Sequence, residues 1–194
     1  MRRADLLLPT AAALLMTAGC GQPAETGPTN GGDAVNETIA DDMTGNAGAP
    51  EAATAGQDFV NAAAASDAFE IESSKLALDR GQSAAIKEFA RDMIAAHTES
   101  TAKLKAAASG AQPALVPDPA LTAEQQAKLS ALGGKSGADF DTVYAAEQVA
   151  AHEKALAMLQ AYADTGTIAP LKDFAAATAP VVKGHLDMAK ALKP

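Results

Sequence analysis

The sequence is poor in residues that many small folds depend on. Its 194 residues include one cysteine, no tryptophan, two tyrosines and five phenylalanines. One cysteine excludes an intrachain disulfide framework and also a zinc site made of several thiolates. So few aromatic side chains disfavour a β-sandwich, because strands are enriched in aromatic and β-branched residues.

Positive charge is also scarce. The chain has 15 Lys and Arg against 24 Asp and Glu, a formal net charge of -9. Because a protein that binds nucleic acid needs basic groups to contact the phosphates, we expect no nucleic-acid partner. Alanine, in contrast, occurs 50 times. Alanine favours the helical state more than any other residue, so the composition predicts an all-α fold.

The first 19 residues have the pattern of a removable signal. Arg2 and Arg3 precede an apolar stretch over residues 6–16, and small residues at 17–19 precede Cys20. This end resembles a bacterial lipobox, in which a peptidase cuts before a cysteine that is then acylated. We predict a signal peptide over residues 1–19 and a lipid anchor on Cys20; the alternative is a secretory signal with an incidental cysteine. Because Gly21 rather than Asp follows, lipoprotein sorting predicts a periplasmic protein anchored to the outer membrane.

Residues 20–57 have the composition of a disordered tether. Positions 21–57 contain six acidic side chains and no Lys or Arg, with many Gly, Pro, Thr and Asn. Such a segment cannot bury enough apolar surface to offset the chain entropy lost on folding. We therefore predict a lipid-anchored acidic tether over 20–57 and a folded domain over 58–194.

From residue 58 onward, apolar residues recur at the three- and four-residue spacing of helices. The pattern predicts long helices at about 58–80, 83–110, 136–165 and 168–193, the second capped by Ser83. A capping box at Thr122 and Gln125 predicts a short helix that ends at Gly133. The predicted apolar stripes include Phe59, Phe69 and Leu76; Ile86, Phe89, Met93, His97 and Leu104; Phe140, Tyr144, Glu147, Met158 and Tyr162; and Leu171, Phe174, Val181, His185, Met188 and Leu192.

The link of 26 residues between the second and third long helices is too long for a hairpin. It lets these two helices run parallel, as in a ferritin-like four-helix bundle with one long crossover between helices 2 and 3. Pro180 lies inside the last helix. We expect a kink about one turn before His185 or, alternatively, a break into two shorter helices.

Five motifs occur in order along residues 58–193. They are Phe59-Val60, Phe69-Glu70 through Leu76-Ala77, Ile86 through His97-Thr98, Tyr144 with His152-Glu153, and Leu171 through Phe174 followed by His185-Leu186. In these motifs the chain resembles the bacterial family catalogued as domain of unknown function 4142. The resemblance implies a ferritin-like bundle, commonly exported or lipid-anchored, with no agreed activity. Members usually have Asp before the second-helix histidine, where this chain has Ala96; if that Asp orients the imidazole, the resemblance implies a weaker site here.

The three histidines of the chain fall on three different predicted helices. At about 1.5 Å per residue, Glu70, His97 and His152 lie about 18–20 Å from one end of the bundle, and His185 and Glu147 about 26–27 Å. Imidazoles and carboxylates that converge from several helices form the metal sites of such bundles. The candidate metal ligands are therefore Glu70, His97, Glu147, His152 and His185, and no catalytic residue is predicted.

Iron and copper are the metals that the sequence suggests. The Glu-x-x-His spacing of carboxylate-bridged di-iron sites is missing, which argues against that type of centre. Met93 and Met188 lie within one turn of His97 and His185, an arrangement that suits copper, although methionine at helical spacing is more often core packing. A structural role is the alternative for each histidine, as a core residue bonded to a carboxylate.

Two functions of different class follow. The sequence favours a non-enzymatic envelope lipoprotein that binds a protein partner or protects against stress, with structural histidines. The alternative is a metal-binding ferritin-like module that uses the His and Glu cluster. Converging imidazole nitrogens with a path to solvent would favour metal binding, whereas an exposed apolar patch would favour the interaction role.

Overall fold

The computed structural model describes residues 48–193, and these form five α-helices without a strand. The helices are α1 (Gly48–Arg80), α2 (Ala84–Ser109), α3 (Ala123–Gly133), α4 (Gly137–Thr165) and α5 (Ala169–Ala191). The predicted all-α class is confirmed for this part of the chain. The predicted signal peptide, Cys20 and most of the predicted tether lie outside the described residues. No helix within 48–193 is both long and apolar enough to cross a membrane.

Helix α1 begins at Gly48, ten residues before the predicted start at residue 58. The predicted boundary of the tether is therefore wrong, because residues 48–57 are helical. Four of these ten residues are alanine. The segment also has packing partners: the Gln57 side chain donates to the Val116 carbonyl at 2.7 Å, and Gly56 lies against Ile168. Helix propensity and tertiary contacts together outweigh the low hydrophobicity of the segment.

The short helix α3 confirms the predicted capping box. The backbone amide of Gln125 donates to the Thr122 hydroxyl at 3.2 Å, and the backbone amide of Thr122 donates to the side-chain oxygen of Gln125 at 2.9 Å. The reciprocal bonds satisfy two backbone N–H groups that would otherwise lack partners at the start of the helix. Helix α3 packs against α1 and α4 within the long link.

The four long helices contact one another in the cyclic order α1, α2, α5 and α4. Helices α1 and α4 are antiparallel: Phe59 stacks on Tyr162 with ring centroids 3.9 Å apart, and near the other end the Ser74 and Tyr144 hydroxyls are hydrogen-bonded at 2.8 Å. The short link at residues 81–83 makes α2 antiparallel to α1 as well. Helices α2 and α4 therefore run parallel, as the length of their link predicted.

Helix α5 continues through Pro180 from Ala169 to Ala191, so the predicted alternative of two shorter helices is wrong. Pro180 has no N–H to donate to the carbonyl of Ala176. Both residues lie on the exposed side of the helix, where water can hydrate that carbonyl. The missing bond therefore does not end the helix.

The buried faces of α4 and α5 are turned by about one residue from the predicted stripes. On α5, Val182 is 4% exposed, while Val181 is 51% and Met188 42% exposed. On α4, Gln148 is buried and Glu147 lies at the edge with 24% of its side chain exposed. At both places two adjacent residues have similar polarity, so periodicity cannot choose between them.

The core consists of two apolar clusters with polar residues between them along the helix axes. One cluster contains Phe59, Val60, Leu104, Leu159, Leu171 and Phe174, among others. The other contains Ile86, Phe89, Met93, Leu132, Phe140 and Tyr144, among others. Apart from Asp141, which lies within the second set on α4, the buried polar residues of the long helices and the half-buried His185 fall in sequence between these two sets. We call this level the polar layer; it comprises Asp67, Glu70, Ser73, Ser74, His97, Gln148, His152 and His185.

A side chain from α4 closes the turn between α1 and α2. Ser83 lies at the N-cap of α2 as predicted, but its side chain forms no capping bond. Instead, Asp141 accepts from the backbone amides of Gln82 and Ser83, at 3.0 and 2.7 Å. A carboxylate at a helix N-terminus is stabilising because it meets free N–H groups and the positive end of the helix dipole.

Two glycines give opposite expectations for stability. A Cβ at Gly184, inside α5, would meet no atom within 4 Å. Gly184→Ala should therefore stabilise the protein by about 0.5–1 kcal/mol, because alanine lowers the conformational entropy of the unfolded chain. A Cβ at Gly81 would lie 2.6 Å from the Ala77 carbonyl and 3.0 Å from Asp141, so Gly81→Ala should destabilise by about 1–3 kcal/mol. Urea denaturation followed by circular dichroism measures both. Equal effects of the two substitutions would contradict this packing.

Candidate metal centre

The polar layer brings together side chains from all four long helices. Helix α1 supplies Asp67 and Glu70, α2 supplies His97, α4 supplies His152 and α5 supplies His185. Asp67, Glu70, His97 and His152 are each at most 5% exposed, and His185 is half-buried. The spacing along the helices fits either one layer or two adjacent layers, and the structure brings the three histidines together.

The three imidazole rings lie close together and are tilted or edge-on to one another. Their centroids are 5.7 Å apart for His97 and His152, 5.8 Å for His97 and His185, and 5.7 Å for His152 and His185. One ring nitrogen from each histidine lies within 4.8 Å of the other two. This is an almost equilateral arrangement of three donor groups.

Hydrogen bonds fix which nitrogen faces the cluster in two of the rings. His152 Nδ1 donates to the backbone carbonyl of Gln148 at 2.8 Å. His97 Nδ1 is 2.8 Å from Oδ1 of Asp67, which accepts its hydrogen, and Asp67 Oδ2 accepts from Thr101 at 3.2 Å. Both Nε2 atoms are thus left as possible donors to a metal. A second group that holds the other ring nitrogen in this way is typical of metal-binding histidines.

Three buried nitrogens of the cluster have no hydrogen-bond partner among the described residues: Nε2 of His97, Nε2 of His152 and Nδ1 of His185. Metal to imidazole bonds of about 2.0–2.1 Å place nitrogens about 3.4 Å apart in a tetrahedral site. One nitrogen of each ring lies within 4.8 Å of one nitrogen of the other two, so small ring rotations would bring three donors to bonding distance. The geometry fits a single ion better than a pair.

Glu70 lies beside the histidines, one helical turn after Asp67. It is 2% exposed, and its Oε1 is 3.8 Å from Nδ1 of His152. Its Oε2 is buried and has no hydrogen-bond partner among the described residues. Burial raises the pKa of Glu70 from 4.5 to about 7, although the neighbouring His97 acts in the opposite direction. A nearby cation would stabilise the ionised form of such a buried carboxyl group.

The histidines differ in their affinity for protons. Burial lowers the pKa of His152 to about 4, and burial together with the nearby His97 lowers that of His185 to about 4. Burial would also lower the pKa of His97, but the bond to Asp67 and the charge of Glu70 raise it overall. His152 and His185 are therefore neutral near pH 7, which is the form that binds metals.

The structure keeps one predicted ligand apart from the cluster. Glu147 pairs with Lys128 of α3 at 2.8 Å, so its charge is already compensated at the edge of the fold. The two methionines that suggested copper also lie elsewhere: Met93 belongs to an apolar cluster and Met188 is exposed. Three of the four apposed ligand candidates are thus imidazoles, and the fourth is Glu70.

Sequence reasoning missed Asp67 and Gln148. Asp67 precedes Glu70 by three residues, which places both carboxylates on one face of α1 and was a signal that could have identified it. The family resemblance implied a weaker site because Ala96 stands where Asp is usual. Here Asp67 supplies a carboxylate to His97 from a neighbouring helix.

Little space adjoins the cluster. A cavity of about 20 Å³ is lined by His97 and Asp67 together with apolar side chains such as Met158 and Val182. That volume is about enough for one water molecule. The arrangement can hold an ion and a small ligand such as water.

Residues 41–192, which are 152 of the 194 residues, match the family model described as "Domain of unknown function (DUF4142)". Comparison with curated proteins and with solved structures finds no match.

Glu70→Gln should change the pH dependence of stability in the metal-free protein. The pKa of Glu70 is higher in the folded protein than its ordinary value of 4.5. The free energy of unfolding should therefore fall as pH rises from about 4.5 to about 7. Glutamine carries no charge and should stabilise the protein, by roughly 1–2 kcal/mol more at about pH 8.5 than at about pH 5. Chemical denaturation in the presence of a chelator measures the difference.

Glu72→Gln is the matched control, because Glu72 lies on the same helix but is exposed beside Lys75. Its effect should be small at both pH values. If Glu70→Gln behaved like this control, Glu70 would not be a buried, uncompensated carboxyl group.

Proposed function

The chain belongs to the family described as "Domain of unknown function (DUF4142)", and we propose that this member binds a transition-metal ion through His97, His152 and His185. Glu70 is the proposed fourth group, either as a direct ligand or through a bound water. Glu147, a ligand candidate from the sequence alone, is left out because Lys128 pairs with it.

The observation that carries the proposal is the set of three buried, unpartnered imidazole nitrogens at one level. Leaving a buried polar group without a hydrogen bond costs about 1–3 kcal/mol. Three such groups from three helices would together destabilise the core, whereas one bound ion would give each nitrogen a partner. Two of the three rings, those of His97 and His152, are also held by a hydrogen bond at Nδ1, which directs the free Nε2 toward the cluster.

The donor set favours one divalent first-row ion. Imidazole suits iron, copper, zinc and nickel, and a buried carboxyl group adds charge compensation. Neither methionine that suggested a soft copper site lies in the polar layer, which favours copper(II) or iron(II) over copper(I). We propose copper and iron as the leading candidates and include zinc in the test because its preferred geometry fits three imidazoles.

Binding without catalysis is the proposed activity. The cavity of about 20 Å³ beside His97 has room for about one water molecule and for no larger substrate. An ion that is bound, held and released needs no more room than this. Storage, buffering or sensing of a metal is therefore favoured over an enzyme.

We further propose that the four long helices form a ferritin-like four-helix bundle with its crossover between α2 and α4, tethered by lipid at Cys20. The cyclic contacts of the helices and the parallel direction of α2 and α4 support the bundle. The lipobox-like residues before Cys20 support a periplasmic position at the outer membrane. Metal handling at the envelope is then the cellular role.

The competing proposal is an envelope interaction or stress-protection module with structural histidines. The bonds of His97 to Asp67 and of His152 to the Gln148 carbonyl favour it, because each satisfies one polar group of the core. Its other mark, an exposed apolar patch, has less support. The large exposed apolar side chains of residues 48–193 are Val116, Val181 and Met188, and isolated exposures of this kind are ordinary.

Alanine substitution of each histidine should weaken metal binding. His97→Ala, His152→Ala and His185→Ala each remove one bond and the geometry of the site, so affinity should fall at least about 100-fold for each. Glu147→Gln is the matched control and should bind as the wild type does. Calorimetric titration with copper(II), iron(II) and zinc at about pH 5.5 and about pH 8 measures affinity. It should fall at the lower pH because protons then occupy His97 and Glu70, whose pKa values are raised, whereas His152 and His185 stay neutral.

Thermal stability separates the two proposals. A metal present at about 100 times its dissociation constant should stabilise the wild type by about 2.7 kcal/mol and the histidine variants little. If none of the three ions stabilises the wild type, metal binding is wrong and the structural role of the histidines is favoured.

Cys20→Ser tests the lipid anchor, which lies outside the described residues. Acylation needs the thiol, and stable anchoring needs more than one acyl chain, because each buried methylene contributes only about 0.8 kcal/mol. The variant should leave the membrane fraction and appear as uncleaved or soluble protein. Fractionation and mass spectrometry check this, and wild-type retention of the variant in the membrane would exclude the anchor.

A further inference from the structure

We infer that metal ions reach the histidine cluster through the seam between α2 and α5, at an acidic cleft formed by Glu88 and Asp92 beside His185. The inference rests on the proposed metal binding and adds to it the route by which the ion enters and leaves. His185 is then the outermost ligand and the first to meet the ion.

The burial of the histidines defines the direction of the route. His97 and His152 are 5% and 1% exposed, whereas His185 is half-buried on the edge of α5. The turned register of α5 is the cause, since Val182, Leu186 and Ala189 form its buried face. Gly184, the residue before His185, is exposed and has no atoms within 4 Å of a Cβ position. Solvent therefore approaches the cluster most closely on this side of the described structure.

Two surface clefts lie along the same seam, one on either side of His185. The first, of about 400 Å³, extends along residues 96–107 of α2 and 170–181 of α5. The second, of about 470 Å³, is lined by residues 85–92 of α2 and 188–193 at the end of α5 and beyond. The stretch of seam between the two clefts is where His185 lies. Of the three imidazoles, that of His185 is the most exposed.

The two clefts differ in where their charges lie relative to His185. In the second cleft, Glu88 and Asp92 are one turn apart on α2 and form no ion pair within the described part of the chain, although Lys193 also lines the cleft. Asp92 interacts electrostatically with His185. The first cleft is lined by Glu99, Asp173 and Lys103, and Glu99 is paired with Lys103 at 2.8 Å. The two linings thus carry the same formal charge, but only in the second cleft does a carboxylate, that of Asp92, attract a cation beside His185, and such a field raises the rate of association.

The rate of metal uptake tests the route. We would mix the full-length protein with cobalt(II), whose visible absorption reports coordination, and follow binding by stopped flow at low salt. Glu88→Gln with Asp92→Asn should slow association about 3- to 10-fold. The matched control is Glu99→Gln with Asp173→Asn in the first cleft, which changes the net charge equally and should stay within about 2-fold of the wild type.

Salt gives an internal check on the mechanism. At about 0.5 M NaCl the difference between the two double variants should largely disappear, because the Debye length is then only a few ångströms. Met188→Lys, which adds a positive charge to the second cleft, should slow uptake more than Val181→Lys in the first. Circular dichroism confirms that the surface variants retain the helical fold.

The outcomes distinguish this inference from the proposal beneath it. If cobalt binds the wild type with one equivalent and both double variants slow association equally, or the control slows it more, the route is wrong while metal binding stands. If the wild type binds no cobalt, copper, iron or zinc, the proposed function fails and the route fails with it. Slower uptake in the Glu88 and Asp92 variant alone supports both.

Discussion

The buried bond between Asp67 and His97 is the interaction on which the polar layer depends. It joins α1 to α2 at 2.8 Å, where both side chains are almost fully excluded from water. The carboxylate fixes the imidazole tautomer and directs Nε2 toward the other two rings. Without Asp67, no carboxylate would accept from Nδ1 of His97, and neither the tautomer nor the orientation of the ring would be fixed. Thr101 holds the second oxygen of Asp67, so the carboxylate is itself oriented.

Two apolar clusters make this polar layer tolerable. Each lies toward one end of the long helices, and together they provide the burial of leucine, phenylalanine and methionine that drives folding. The polar groups between them are then excluded from water by their position rather than by their chemistry. Ser73, Gln148 and the Ser74 to Tyr144 pair satisfy part of the layer with hydrogen bonds. The nitrogens that these bonds leave free are concentrated at the histidines.

Much of the fold could be predicted from sequence because its signals are local. Helical spacing, the Thr122 to Gln125 capping box and the glycines after helices depend on neighbouring residues, and they predicted the helices to within a few positions except at residue 48. The level of the histidines followed from counting residues along the helices. What failed was rotation: Glu147 and Val181 were placed inward, whereas Gln148 and Val182 are buried. Asp67 was missed because its partner lies 30 residues away, and only packing reveals that contact.

Asp141 has a consequence for the sliding of the helices past one another. Short turns join α1 to α2 and α4 to α5, whereas the longer segment 110–136, which contains α3, connects the two hairpins. The bonds from Asp141 of α4 to the turn at Gln82 and Ser83, together with the packing of α3 on α1 and α4, hold the axial position of one hairpin against the other. His97 belongs to the first hairpin, and His152 and His185 to the second. A slip of one helical turn, about 5.4 Å, would move His97 out of reach of its partners. The alignment of the three rings thus depends on the register of the two hairpins, and an ion bound among the rings would hold that register by linking His97 of one hairpin to His152 and His185 of the other.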